Sequence, residues 1–209
     1  MPRVRNVIFD LDGTLVDSVP GIQWSVEAAL GTACRDLRPL IGPPIRDILA
    51  IVSGASDAAE LDLLETAFRA AYDSEGWRKT AGQPGARAVL EDLRAAGRQL
   101  WLVTNKPGFA TRAIMSELAL LTFFREMVSR DSRRPPFSSK AEMLANLLQR
   151  HTLDPSGSIM VGDTLEDCRA AAAVGMECAV VLHGYGTGLD GPLPERCRRI
   201  GGWQELLDT

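Results

Sequence analysis

A chain of 209 residues with a 45% hydrophobic and 24% charged share has an ordinary globular composition, and it is long enough for one large domain or a medium one with an insertion. A net charge of −4 without any dominant Lys/Arg block excludes the footprint of a nucleic-acid binder, and the basic run at 130–134 is broken by Asp131. No apolar stretch approaches the roughly 20 residues of a membrane helix, and Asp10 and Asp12 end the N-terminal apolar run too early for a secretory leader. A cytoplasmic protein, with no membrane or nucleic-acid partner, is expected.

Val7, Ile8 and Phe9 form a short β-prone run that stops at Asp10-Leu11-Asp12-Gly13-Thr14, a polar turn with glycine near its centre. This predicts a buried strand delivering two carboxylates at its C-terminal end. From 16 to 84 the pattern changes to helical spacing. Ile22, Val26, Ala29, Leu30 and Ala33 recur in this way, as do Leu61, Leu64, Phe68 and Tyr72, and Asp57 with Glu60 marks a helix start. Trp24 and Trp77 are expected in the core of this helical insertion.

After Gly82-Gln83-Pro84-Gly85 the strand grammar resumes. Residues 99–103 lead to Thr104-Asn105, residues 158–161 to Gly162-Asp163, and residues 179–182 to His183-Gly184. Helical patterns separate them: Val89, Leu90 and Leu93; Ile114 and Leu118; Met143, Leu144, Leu147 and Leu148. Strands alternating with helices predict an α/β core with a Rossmann-like parallel sheet. That core spans 1–15 and 85–209, with a helical cap domain inserted at 16–84.

In such a sheet, ligands bind beyond the carboxyl ends of the strands. Asp10, Asp12, Thr104, Asn105 and Asp163 all fall there. Three carboxylates in one crevice repel each other unless a cation joins them, and oxygen ligands beside a phosphate suit Mg²⁺. The four cysteines, Cys34, Cys168, Cys178 and Cys197, have no paired ligand spacing and are expected to be reduced structural thiols. His183 is expected to be a loop histidine outside the site.

The string running from Asp10 to Ser18, Leu102-Val103-Thr104-Asn105-Lys106-Pro107, and Val161-Gly162-Asp163-Thr164-Leu165-Glu166-Asp167 resemble the motifs of the haloacid dehalogenase superfamily. With the turn His183-Gly184-Tyr185-Gly186, they are similar to its phosphoglycolate phosphatase-like branch. The resemblance implies a Mg²⁺-dependent phosphatase acting through an aspartyl-phosphate intermediate. Its substrate would be a small phosphomonoester: phosphoglycolate-like, a sugar phosphate or a nucleotide. Asp10 would be the nucleophile and Asp12 the acid and base. Asp10, Asp163 and the main-chain oxygen of Asp12 would hold the metal, with Asp167 in support.

The same resemblance gives Thr104 and Asn105 to the phosphate and Lys140 to charge compensation, although Ser138-Ser139-Lys140-Ala141 replaces the family's common Lys-Pro pair. Lys106 reads equally as a substrate contact or a solvated side chain. Gly42-Pro43-Pro44-Ile45-Arg46 falls where the family has a specificity loop, so Arg46 would bind a carboxylate or second phosphate, and the insertion would act as a lid. The protein would be a monomer or weak homodimer. A dehalogenase is disfavoured because Asp12 is present, and a phosphonatase because the insertion lacks a suitably placed lysine. The alternatives are a sugar phosphomutase of the same superfamily and a non-catalytic binding module on the same fold.

Overall fold

The structure, a computed structural model, describes residues 4–186 and 189–207, so residues 1–3, 187–188 and 208–209 of the expected core lie outside it. The chain divides into two compact units, one of Met1–Val16 with Gly82–Thr209 and one of Asp17–Ala81, against the expected cap limits of 16 and 84.

The first unit begins with β1 (Asn6–Phe9). The chain leaves this unit through β2 (Val16–Asp17), runs through helices α1 (Val19–Leu30), α2 (Ile45–Ser53) and α3 (Ala58–Ser74), and returns through β3 (Ala81–Gly82). There follow α4 (Ala86–Ala95), β4 (Gln99–Thr104), α5 (Gly108–Glu117), β5 (Glu126–Ser129), α6 (Lys140–His151), β6 (Ser158–Gly162), α7 (Leu165–Ala173), β7 (Glu177–Val181), β8 (Cys197–Ile200) and α8 (Gln204–Leu207).

The six-stranded sheet has the order β5-β4-β1-β6-β7-β8, and its pairs are parallel. Strands β4 and β5 extend the sheet from one side of β1, and β6, β7 and β8 from the other. The winding therefore reverses beside β1, which opens a crevice at its carboxyl end. Strands β1, β4, β6 and β7 are buried along nearly their whole length, so each reads as a mostly apolar run. Ile8, Trp101, Val103 and Met160 pack with Met143, Leu144 and Leu147 of α6 and Cys168 and Ala171 of α7. The alternate residues Val7, Phe9, Leu100 and Leu102 lie on the opposite face and are equally buried.

Strands β5 and β8 were not predicted. β5 is Glu-Met-Val-Ser and β8 is Cys-Arg-Arg-Ile. Both are edge strands, where one side stays open and polar residues are tolerated, so neither carries an apolar run.

In the helical unit, Asp57 caps α3 by accepting from the Glu60 amide at 3.0 Å. Phe68 and Tyr72, one turn apart, stack at 5.5 Å and bury with Val26, Ile48 and Leu49. Trp24, expected in this core, is instead 37% exposed; its ring lies under the Lys79 ammonium at 5.0 Å, a cation–π contact that needs no burial. Among the described residues, no helix is long and apolar enough to cross a membrane.

Candidate active site

The site is built where β1, β4 and β6 end, with α6 and α7 supplying its lysine and one carboxylate. Asp10 follows β1 directly, and its amide donates to the Val161 carbonyl of β6 at 2.8 Å. The next residues turn sharply, with the Leu15 and Val16 amides both donating to the Leu11 carbonyl. Asp163 follows β6 and is fully buried. Its Oδ1 accepts from Thr14 Oγ1 at 3.2 Å and its Oδ2 from the Tyr185 amide at 2.8 Å.

Lys140 opens α6 because Ser139 caps that helix, its side chain accepting from the Glu142 amide at 3.2 Å. The Ser-Ser-Lys sequence that departs from the family pattern thus starts the helix with its lysine in the first turn. Lys140 Nζ lies 3.1 Å from Asp10 Oδ2 and 2.7 Å from Asp167 Oδ1. Asp167 Oδ2 accepts from the Asp163 amide, the Thr164 amide and Thr164 Oγ1 at 3.3, 3.0 and 2.7 Å. Asp167 therefore fixes the lysine on one side and the Asp163 turn on the other.

Burial decides the electrostatics. It pushes the Asp10 carboxyl up to about 7, with Lys140 pulling it down and Asp167 and Asp12 pushing it further up. Burial likewise raises Asp163, reinforced by Asp167 and Asp10. Burial alone would lower the Lys140 ammonium, but Asp10 and Asp167 outweigh it and hold the lysine charged. One lysine thus faces three buried carboxylates. Oxygens of Asp10, Asp163 and Asp167 lie within 4.8 Å of one another, an excess of negative charge with oxygen-only donors that fits a hard divalent cation.

Asp12 stands apart from that trio. Its carboxylate is held by Lys106 Nζ at 2.9 and 3.2 Å. Lys106 is buried, contrary to the solvated reading. Its position right after the β4 end was legible in the sequence, but the burial that selects Asp12 as its partner was not. Thr104 is 1% exposed and its Oγ1 accepts from the Lys106 amide at 3.2 Å. The Asn105 amide nitrogen bonds both oxygens of Glu166 at 3.0 and 2.9 Å, so Asn105 ties the β4 loop to α7.

Arg46 was expected at the substrate. Its guanidinium bonds Asp62 at 2.6 Å, Glu65 at 3.4 Å and the Ala58 carbonyl at 3.1 Å, all within the helical unit. This geometry gives it a helix-tying role there.

His183 is a loop histidine, its Nε2–H donating to the Thr14 carbonyl at 3.1 Å. The four cysteines are free thiols, and Cys168, Cys178 and Cys197 converge, because parallel β7 and β8 set two of them side by side beneath α7. Hydrogen bonds from the Cys178 and Cys168 thiols, opposed by burial, hold the Cys197 thiol down at about 7.

The glycine turn after β7 is sterically required. A Cβ on Gly184 would lie 2.3 Å from the Asp163 Cβ and 2.6 Å from its Oδ2. Gly184→Ala is therefore expected to cost about 1–3 kcal/mol by overpacking and to displace the Asp163 carboxylate. Thermal melting and activity together check this, and an unchanged melting temperature with full activity would contradict the geometry.

The crevice and sheet order are those of a Rossmann-like α/β core that binds its ligand beyond the strand ends. The chain belongs to the haloacid dehalogenase-like hydrolase family, whose model matches residues 7–181. Tyrosine-protein kinase PtkA of Mycobacterium tuberculosis is 36% identical over 186 residues, which is 86% of this chain and 62% of that protein. This chain thus spans less than two thirds of the kinase's length. A phosphoglycolate phosphatase of Cereibacter sphaeroides is 35% identical over 191 residues, covering 86% of this chain and 85% of the enzyme. Among solved structures, that of the mycobacterial kinase aligns with a TM-score of 0.84 at 30% identity, over 99% of this chain and 97% of that one.

Proposed function

We propose that this chain is a Mg²⁺-dependent phosphatase of small phosphomonoesters that works through an aspartyl-phosphate on Asp10. The observation that carries this reading is the buried Lys140 ammonium, 3.1 Å from Asp10 and 2.7 Å from Asp167, beside a second buried carboxylate, Asp163. Phosphoglycolate is the first substrate to test, because a relative of matching length bears that activity in its name.

An oxygen of Asp10 attacks phosphorus while the bond to the leaving oxygen breaks, and Asp12 gives its proton to the departing alkoxide. Asp12 then takes a proton from water, whose oxygen attacks the acyl phosphate and releases inorganic phosphate and Asp10. The Lys106 contact holds the Asp12 carboxyl in place for both steps. Lys140 offsets charge on the transferring phosphoryl group, and the Thr104 end of β4 supports the loop that receives it. Asp10, Asp163 and the Asp12 main-chain oxygen would hold Mg²⁺. When bound, it neutralises charge between the nucleophile and the phosphate.

A kinase reading is favoured by the 36% identity to PtkA and by the match to its solved structure. One pair of assays separates the two. With p-nitrophenyl phosphate or phosphoglycolate, the protein is expected to release phosphate with Mg²⁺ and none in excess chelator. With ATP and a tyrosine-containing polymer it is expected to incorporate no phosphate. Incorporation without phosphatase turnover would overturn the proposal.

The cation also leaves a signature in stability. Asp10 has a carboxyl raised from 3.8 to about 7 in the folded chain. Without a cation, its bound proton stabilises the fold below about pH 4, and that contribution is lost as the pH rises through about 7. A cation competes with this proton. Mg²⁺ is therefore expected to raise the melting temperature more at about pH 8 than at about pH 5.5, and equal shifts would contradict a site containing Asp10.

A further inference from the structure

Three of the four cysteines meet at one point that the proposed reaction does not use. Cys178 on β7 and Cys197 on β8 are paired neighbours in parallel register, and Cys168 reaches them from α7. The three sulfurs lie within 4.8 Å of one another. Cys168 and Cys178 are fully buried, and Cys197 is partly exposed at the sheet edge.

A buried cysteine alone is an ordinary small apolar side chain, but core packing does not require three of them, from three separate elements, to converge. Three sulfurs each about 2.3 Å from one ion stand about 4 Å apart, so the observed triangle needs little closing. Among the described residues, no histidine or carboxylate belongs to this group. An all-sulfur donor set disfavours hard ions such as Mg²⁺ and selects soft ones. Three donors without a fourth favour an ion content with trigonal coordination. Cys197, being partly exposed, gives the route in.

We propose that Cys168, Cys178 and Cys197 form a three-thiolate site for a soft metal ion of the monovalent copper class. The inference rests on this geometry alone and is independent of the proposed phosphatase activity. Each thiol must lose its proton to bind, so affinity rises with pH.

The test is an anaerobic titration of the full-length reduced protein with Cu(I), against a chromogenic Cu(I) chelator. The wild type and Cys34→Ser are each expected to take one ion per chain, more tightly at about pH 8 than at about pH 6. Cys197→Ala is expected to lose that ion while retaining the wild-type circular dichroism spectrum. X-ray absorption of the copper-loaded wild type, which needs no variant, is expected to show three sulfur neighbours. Full uptake by Cys197→Ala, loss of uptake in Cys34→Ser, or a shell without three sulfurs would each overturn the site.

Discussion

Asp10→Asn is expected to lower phosphate release by at least about a thousandfold, on the scale seen when a catalytic nucleophile is removed. The amide keeps the size of the carboxylate and its place at the end of β1, but it is a poor nucleophile toward phosphorus and a weak cation ligand. Lys140 would keep its 2.7 Å bond to Asp167, so the fold should survive with a near-native melting curve. The loss should appear in kcat, since the missing interaction belongs to the transition state. Turnover within about tenfold of wild type would remove Asp10 from the covalent step.

Lys140→Ala is expected to be the most destabilising single change in the site. The lysine side chain is 3% exposed and its partner Asp167 0%, and removal leaves Asp10, Asp163 and Asp167 buried without a nearby cation. Breaking a buried pair in this way costs about 3–5 kcal/mol, against a total stability of about 5–15 kcal/mol for a typical protein. Urea denaturation at neutral pH without added metal checks this. The deficit should shrink in mild acid, because Asp10, already raised to about 7 beside Lys140, then accepts a proton and its charge vanishes. A deficit below about 1 kcal/mol would show that the lysine does not balance these carboxylates.

Much of this site was legible before folding. Asp10, Thr104 and Asp163 each follow or end an apolar run, and a parallel sheet must bring such ends to one crevice. Lys140 was identified despite its unusual neighbours, and Ser139 shows why the substitution is harmless to position: a serine cap starts the helix as well as a proline would. What the sequence concealed depends on three-dimensional burial. Lys106 reads equally as a substrate contact or a solvated side chain until the β4 loop places it against Asp12. Arg46 has the chemistry of an anion site, yet acidic residues 16 and 19 positions later claim it. Edge strands β5 and β8 are too polar to announce themselves, and the cysteine triangle depends on the register of β8, so it was equally hidden.

The proposed mechanism requires phosphate to become covalent at Asp10. The most direct measurement is to quench Mg²⁺-loaded protein during turnover and trap any acyl phosphate with hydroxylamine or borohydride, mapping the modified residue by mass spectrometry. The predicted result is a single substrate-dependent modification at Asp10, absent in Asp10→Asn and absent in chelator. A phosphorylated tyrosine, serine or histidine in its place, or turnover with no modification at Asp10, would contradict the mechanism.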